Sequence, residues 1–551
     1  MKKSCKFVSS VLLFAMLLSS FAIIPAYAQQ ENLVSSNSVT EQVHVCSDCT
    51  NSNNCVAKVD SIYTTVSSNE ILSRLVSQEP FSLDGTITTE GQTKTLDEYY
   101  DFSSMSRFAI ADLAYEKELI TEAQMIECYC DLLTEKNFEN VICLDPFYNK
   151  IKNYEATTQV NVALDKKITS VLNSNTYSLQ TQPARRNSHS ITVNGIYIED
   201  VFNILSDSVL NEIGAFASSL RTLYENRGFD FPGDNITGND YVILLSTSTA
   251  GLVCDTISYQ DLTSTTCLSA TYIHGVNRNT VLNDSLRQRI AHGMFHAIQN
   301  TYNRAEGWFK EACADWGAWS TTGLTTGINF NAFINARGSM TNNVGRGAML
   351  FPVTIARYYG GYETIVEIYE QLSTVTTTIL PFSTLENKIN AALAARGYTS
   401  VDFADIFSQM SGYLAVPSSI YSFVASGLQN TFNAGEITYY EGADFTEDDI
   451  RKLDRAYFSF TPDEDLIDYE IEFEVGVLGN PNGDVTVQQF WYNDIGEAMI
   501  EYLPLNANGV VSFSHPHFDE GNPSGFVGII ITNTNADAEY GFYIDYVVTQ
   551  N

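Results

Sequence analysis

Two histidines and a glutamate have the types and the spacing of a metal site. His292 and His296 lie four residues apart in residues 291–299. On a helix, that spacing puts both imidazoles on one face, one turn apart. Glu311 follows in a segment whose pattern predicts the next helix. Two imidazoles and a carboxylate can hold one zinc ion and leave a position open for water.

The flanking residues predict the helices that must position these side chains. Asn283 or Asp284 can cap the first helix, because both have short side chains that accept from backbone N–H groups. Apolar residues then recur at spacings of three and four, as on the buried face of a helix. They are Ile290, Met294, Ala297 and Ile298. Residues 308–316 predict the second helix, with Glu311 and Asp315 on one face.

This pattern resembles the zincin metallopeptidases of the gluzincin type. Their motif is His-Glu-x-x-His followed by a ligand Glu from a later helix, and the phrase around Glu311 is similar to their Trp-x-x-Glu-Gly-x-Ala. The resemblance implies a zinc ion on His292, His296 and Glu311, with Asp315 orienting one imidazole from behind. It covers residues 270–320, and a weaker likeness in element order runs over residues 190–415.

The resemblance also implies a two-lobed domain that holds a peptide or protein in its cleft. Residues 270–276, a predicted strand just before the first site helix, would pair with extended substrate by strand addition. One residue departs from the family pattern. Gly293 stands where the family has the Glu that acts as general base. Glycine has no proton acceptor, so the metal frame is expected and ordinary hydrolysis is not.

Three functions remain open at this point. The first is a secreted zinc metallopeptidase-like protein whose hydrolysis is lost or weakened, that is, a pseudoenzyme. The second is an active secreted zinc endopeptidase with another base, for which Glu306 and Asp315 are the nearby acids. The third is a non-enzymatic surface-binding protein that uses the zincin lobe as a scaffold and a C-terminal β-sandwich for contact. If the first is right, Gly293→Glu should restore or raise peptide hydrolysis.

The N-terminus and the charge indicate the compartment and exclude one class of partner. Lys2, Lys3 and Lys6 precede an apolar run that ends in an Ala-x-Ala site, which is typical of a secretory signal cleaved after Ala28. No later run is long and apolar enough for a transmembrane helix, so we expect a secreted, extracellular protein. The formal net charge is −35. Such an acidic chain is not expected to bind nucleic acid, because phosphate contacts need clustered Lys and Arg.

Nine cysteines remain after the signal, and an exported protein can form disulfides. Cys254 and Cys267 flank a polar loop and are the predicted pair. Cys313, inside the second site helix, is the predicted unpaired thiol. Two further clusters are expected to form disulfides within or between themselves. They are Cys46, Cys49 and Cys55, and Cys128, Cys130 and Cys143.

The predicted fold class is α+β. The helical region is either a pro-segment or an accessory domain. A Thr121–Gln124 capping box opens one of its predicted helices. The region also contains a dibasic pair, Arg185-Arg186, that is a candidate processing site. The C-terminal residues alternate with period two and predict an antiparallel β-sandwich. This sandwich is either a stabilising module or a surface or carbohydrate contact. The predicted segments are 1–28 signal peptide, 29–60 flexible leader, 61–188 helical region, 189–450 zincin-like domain and 451–551 β-sandwich.

Overall fold

The computed structural model shows a mixed α/β protein with twelve helices and four sheets among the residues that it describes. It describes residues 61–550 apart from gaps, of which the longest are 179–187, 233–240, 334–346, 416–434, 463–468 and 517–526. The predicted signal peptide, leader, first cysteine cluster and dibasic pair lie outside the described residues. No helix in the described part is long and apolar enough to cross a membrane.

The N-terminal helical block has a hydrophobic core of its own. A small antiparallel sheet in the order β1-β2-β3 accompanies five helices. The predicted capping box is confirmed: Gln124 N donates to Thr121 Oγ1 at 3.3 Å, and Thr121 N donates to Gln124 Oε1 at 2.9 Å. The elements are β1 Ser61–Thr64, α1 Ser68–Val76, β2 Gly85–Thr89, β3 Gln92–Thr95, α2 Arg107–Glu116, α3 Glu122–Glu135, α4 Asp145–Thr157 and α5 Val162–Ser174.

A six-stranded sheet carries the central part of the chain, in the order β4-β8-β9-β7-β6-β5. Its middle strand β7 is buried along its whole length, as its continuous apolar run predicts. Helix α6 packs on β5 and β6, and Ser206 caps it by accepting from Val209 N at 3.4 Å. The elements are β4 Thr176–Ser178, β5 His189–Val193, β6 Ile196–Asp200, α6 Asp207–Asn226, β7 Tyr241–Leu245, β8 Val253–Gln260 and β9 Thr266–His274.

The strand that precedes the first site helix is not at the cleft edge, so that prediction was wrong. β9 is hydrogen-bonded on both sides, parallel to β7 and antiparallel to β8. Strand addition needs a row of unpaired backbone groups, which an interior strand does not have. On the side of β9 away from β7, the neighbouring strand is β8, and only the short strand β4 lies beyond it.

The predicted Cys254–Cys267 disulfide is also wrong. The two residues lie on β8 and β9, but the register pairs Cys254 with Ile273 and Cys267 with Tyr259, several residues apart along the hairpin. Such an offset is far beyond the reach of a disulfide. Cys128, Cys130 and Cys143 are buried thiols without a disulfide, as is Cys313, for which this was predicted.

Helices dominate from residue 284 to residue 414. The two site helices pack against each other, and Gly317 makes this possible because a Cβ at this position would overlap the ring of Phe295. Four later helices complete the lobe, with α9 and α10 packed against the site pair. The helices are α7 Asp284–Tyr302, α8 Trp308–Thr322, α9 Leu350–Tyr358, α10 Tyr362–Ser373, α11 Phe382–Ala395 and α12 Phe403–Leu414.

The C-terminal part contains two sheets that enclose one apolar core. Their orders are β10-β12-β17-β14-β15 and β11-β18-β13-β16, and every pairing is antiparallel except β10 with β12. The sheets begin at Gly435, ahead of the predicted boundary at residue 451. The strands are β10 Gly435–Tyr439, β11 Gly442–Ile450, β12 Arg455–Pro462, β13 Tyr469–Val477, β14 Val485–Tyr492, β15 Ala498–Leu503, β16 Val510–Pro516, β17 Val527–Asn533 and β18 Tyr540–Gln550.

One face of this β-structure is part of the central core. Tyr457, Phe490 and Ile530 belong to the same apolar cluster as the site helices. Tyr457 also donates from its hydroxyl to the Ser411 carbonyl of α12 at 2.9 Å. The fully buried guanidinium of Arg455 lies over the Phe333 ring, 4.2 Å from its centroid.

Candidate metal centre

Helix α7 presents both site histidines to one point. Asn283 caps the helix, since Leu286 N donates to its Oδ1 at 3.0 Å. The structure places His292 and His296 on one face, with their Nε2 atoms 2.9 Å apart. Both rings are buried, with exposed fractions of 1% and 0%.

Helix α8 brings Glu311 to the same point. Its Oε1 lies 3.2 Å from His296 Nε2, and its Oε2 lies 3.5 Å from His292 Nε2. Burial opposes the charge of the Glu311 carboxylate, but His296 and hydrogen bonds from both imidazoles outweigh it and lower the pKa of Glu311. The three residues selected from the sequence therefore meet, and the carboxylate is ionised.

The hydrogen bonds behind the rings leave both Nε2 atoms as acceptors when the imidazoles are neutral. Gln299 donates from Nε2 to the Lys310 carbonyl at 2.7 Å and to the Tyr369 hydroxyl at 2.7 Å. Its Oε1 must then accept from Nδ1 of His296, 2.7 Å away. Asp315 Oδ1 lies 2.8 Å from Nδ1 of His292 and accepts a hydrogen bond from its N–H group. Such partners fix the tautomer and direction of metal-binding imidazoles.

Two bare nitrogen lone pairs at this distance repel each other unless a positive charge lies between them. Burial disfavours an imidazolium at His292, but Asp315, Cys254 and hydrogen bonds to Asp315 and Glu311 outweigh it and raise the pKa of His292 well above its usual range. A cation at the Nε2 atoms, either a proton or a metal ion, would remove this repulsion. The donor set of imidazole nitrogens and carboxylate oxygens fits a divalent metal.

A fourth ligand atom comes from a residue that the sequence had placed in a disulfide cluster. Cys143, His292, His296 and Glu311 each offer a donor atom, and these atoms all lie within 4.8 Å of one another. All four side chains are buried, and together they could hold a metal ion. Burial, followed by a hydrogen bond with Cys254, raises the pKa of the Cys143 thiol. No spacing signal links Cys143 to residues so distant along the chain.

Gly293, at the position of the family's general base, faces a neighbouring strand at close range. A Cβ built on Gly293 would lie 2.7 Å from Cγ2 and 3.0 Å from Oγ1 of Thr271 on β9. Thr271 is fully buried, and its hydroxyl is 2.7 Å from the Tyr241 hydroxyl. The glycine therefore lets α7 approach the sheet, and a single Gly293→Glu exchange would meet Thr271.

Of the two acids considered as substitute bases, Asp315 does not replace that glutamate. Asp315 contacts the Nδ1 side of His292, away from the Nε2 atoms. Glu306 lies outside the described residues. The structure instead brings Asp145 to the site, with Oδ2 at 3.9 Å from His296 Nε2.

Asp145 shares a proton with a second buried carboxyl group. Burial and the charge of Asp145 raise the pKa of Asp255 well above its usual range, so Asp255 is the protonated partner. Burial also opposes charge on Asp145, but His296 and the hydrogen bond from Asp255 outweigh it and lower the pKa of Asp145. Asp145 is therefore a carboxylate beside His296, and no sequence motif indicated it.

Comparisons with known proteins add no family. No protein-family model and no curated protein matches the chain. Among solved structures, PliG, a periplasmic inhibitor of g-type lysozyme from Aeromonas hydrophila, is 9% identical, with 21% of this chain and 96% of that chain covered and a TM-score of 0.15. PliG from Salmonella Typhimurium is 10% identical over 21% and 97% of the two chains, with a TM-score of 0.14. A family GH115 4-O-methyl-α-glucuronidase is 12% identical over 59% and 54%, with a TM-score of 0.13. Likenesses at these scores carry no argument about fold or function.

Proposed function

We propose that this chain is a secreted zinc metallopeptidase-like protein of the gluzincin kind, whose hydrolysis is lost or weakened. One observation carries the proposal. The Nε2 atoms of His292 and His296 and the carboxylate of Glu311 converge at one buried point, with Asp315 and Gln299 holding the rings from behind.

Zinc is the metal that this donor set suits best, because imidazole, carboxylate and thiolate are its usual protein ligands. A bound zinc ion would polarise a carbonyl oxygen and activate water. The protein's own contribution is orientation: Asp315 and Gln299 hold the two Nδ1 protons, so each Nε2 stays directed at the ion. Their hydrogen bonds also raise the basicity of the ligand nitrogens.

Two features support lost or weakened hydrolysis. Gly293 supplies no base, and Thr271 fills the space beside it where a longer side chain would begin. In addition, the side chains of all four candidate ligands, including Cys143, are buried. A closed arrangement of four protein ligands is typical of structural zinc rather than catalytic zinc. The role that remains is to bind a peptide or protein without cutting it.

Metal analysis of the purified protein tests the proposal. Wild-type protein should contain one zinc per chain, and His296→Ala should lower the zinc content strongly. His189→Ala is the matched control, because His189 lies on β5 beside Asp207 and outside the site. Wild-type protein that binds no zinc, or a His296→Ala variant that keeps it, would overturn the proposal.

The secreted state has a separate test. Protein recovered from the growth medium should begin at Gln29, the residue after the predicted cleavage site, which N-terminal sequencing would read directly. An N-terminus at Met1 in exported protein would contradict the signal peptide.

A second candidate function is an active peptidase that uses Asp145 as base, favoured by its position 3.9 Å from His296 Nε2. Cleavage of an unfolded protein substrate distinguishes the two. An active enzyme would cut it, lose this activity with a chelator, and lose it in Asp145→Asn while keeping zinc. Our first proposal predicts little or no chelator-sensitive cleavage by wild-type protein, and no effect of Asp145→Asn on it.

A further inference from the structure

The stretch that closes the metal cluster belongs to the N-terminal helical block. Residues 143 and 144 directly precede α4, which begins at Asp145, and this stretch lies against β8. Cys143 forms a parallel bridge with Cys254, and Leu144 N donates to the Cys254 carbonyl at 3.0 Å. This places Cys143 among the metal-site donors and Asp145 beside His296.

The strand that follows the block, β4, occupies the outer edge of β8 at a second place. β4 pairs in parallel with β8, with Thr176 opposite Ser258 and Ser178 opposite Gln260. The other side of β8 is paired with β9. The end of the block and the strand that follows it therefore lie along the edge that an extended peptide would need for strand addition.

The block has an apolar core that is largely its own. Its core is a separate apolar cluster, and Val253 at the start of β8 is the one member of that cluster, among the described residues, from outside the block. Cys143 belongs instead to the central core with the site helices. A body with its own core can be displaced without unfolding the lobe that it covers.

We propose that the helical block is a built-in inhibitor of the metal site: Cys143 takes the fourth ligand position, and the block covers the β8 edge that an extended peptide would use. This inference rests on the proposed metal site of His292, His296 and Glu311. When Cys143 binds the ion, its S–H bond breaks, a sulfur–metal bond forms and the proton leaves to water. Displacement of the block reverses the step and opens one ligand position to a peptide carbonyl or to water.

Cobalt substitution of the full chain tests the thiolate ligand. Cobalt(II) bound by thiolate has a strong near-ultraviolet charge-transfer absorption that histidine and carboxylate ligands do not give. We expect this absorption in the wild-type protein, and its loss in Cys143→Ala with one cobalt still bound. Cys130→Ala, a buried thiol of the same block, and Cys254→Ala, the neighbouring thiol, are the controls and should keep it.

Binding of acetohydroxamate tests the opened position. This small chelating probe needs a free ligand position, so Cys143→Ala should bind it at least about 10-fold more tightly than wild type, equal to about 1.4 kcal/mol. Equal affinity in the two proteins would overturn the inference. If Cys143→Ala does not fold, X-ray absorption spectroscopy of the wild-type zinc protein tests the ligand instead. One sulfur atom is expected among the zinc ligands, and a spectrum without sulfur would refute the assignment of Cys143 as a ligand.

The two proposals fail in different ways. Wild-type protein that takes up no cobalt, or a His296→Ala variant that binds it as well as wild type, contradicts the metal site itself. Cobalt uptake that depends on His296 but shows no thiolate absorption contradicts only the inhibitory role of Cys143. An absorption lost in Cys254→Ala and kept in Cys143→Ala also contradicts it, because the wrong sulfur would be the ligand.

Discussion

Replacement of Gly293 by alanine should destabilise the protein, although alanine is the better helix former. Alanine in a helix interior is favoured over glycine by about 1 kcal/mol. Against this, the new Cβ would lie 2.7 Å from Cγ2 of Thr271 and 3.0 Å from its Oγ1. Forcing a methyl group into such a packed contact costs roughly 1–3 kcal/mol. The Thr271 hydroxyl is held by Tyr241, so it cannot turn away freely. We expect a net loss of up to about 2 kcal/mol.

The contact can be isolated with a double-mutant cycle. Thr271→Ala removes both nearest atoms and leaves only its Cβ, 3.4 Å from the new methyl group. In that background Gly293→Ala should stabilise the protein by about 1 kcal/mol, the helix-propensity term alone. The expected coupling between the two sites is therefore about 1–3 kcal/mol, which is the steric cost itself. Urea unfolding of the four proteins measures it. Stabilisation by Gly293→Ala in the wild-type background would refute the steric explanation.

Removal of the Thr271 side-chain contact also allows a test of the missing base. Gly293→Glu combined with Thr271→Ala gives the glutamate room at its Cβ, which the single variant does not have. If the lost base limits hydrolysis, the double variant should cleave peptides better than Thr271→Ala alone, and a chelator should abolish the gain. A double variant that binds zinc and stays inert, even with Cys143→Ala added to open the site, would show that the missing base is not the limiting defect.

Three further outcomes follow from the hydrogen bonds and burial described above. Asp315→Ala should weaken zinc affinity about 10–100-fold, because Nδ1 of His292 loses its partner; competition with a chelator measures this, and an unchanged affinity would remove Asp315 from its orienting role. Asn283→Ala should cost about 1 kcal/mol of stability through the lost cap of α7, read from the urea midpoint, and no change would mean that the cap is not needed. Burial, followed by the charge of Lys136, lowers the pKa of His274 to about 4. Unfolded chains bind this proton below about pH 6.5 and the folded protein only near pH 4, so His274 should cost up to about 3 kcal/mol of stability as the pH falls through this window. His274→Gln should flatten the loss between pH 6.5 and 4, and parallel pH profiles for the variant and wild type would contradict this.

Local patterns predicted the two site helices and the shared face of His292 and His296, because the relevant information lies within a few residues. The spacing of His292 and His296 determines that they share a helix face, and Asn283 provides a cap that depends only on its neighbours. The alternation of residues 469–475 likewise predicts β13. These are short-range effects of backbone geometry, so sequence reasoning reaches them.

The remaining parts depend on contacts between distant segments. Thr271 explains Gly293, but only the approach of α7 to β9 brings the two together. Cys143 reaches the metal site because the stretch that precedes α4 docks on β8. The Cys254–Cys267 pairing failed for a similar reason: a hairpin's register, and not its loop length, decides which residues face each other.

The shared apolar face between the C-terminal sheets and the helical lobe has a practical consequence. Tyr457, Phe490 and Ile530 pack into the central core, and Arg455 is buried against Phe333. A chain shortened to end at residue 450 would lack these side chains and would expose to water the apolar face of the helical lobe that they cover. An uncovered apolar patch promotes aggregation. The C-terminal region is thus an integral part of the core of the lobe and not an independent domain. Shortened chains that lack it should precipitate instead of yielding a smaller metal-binding protein.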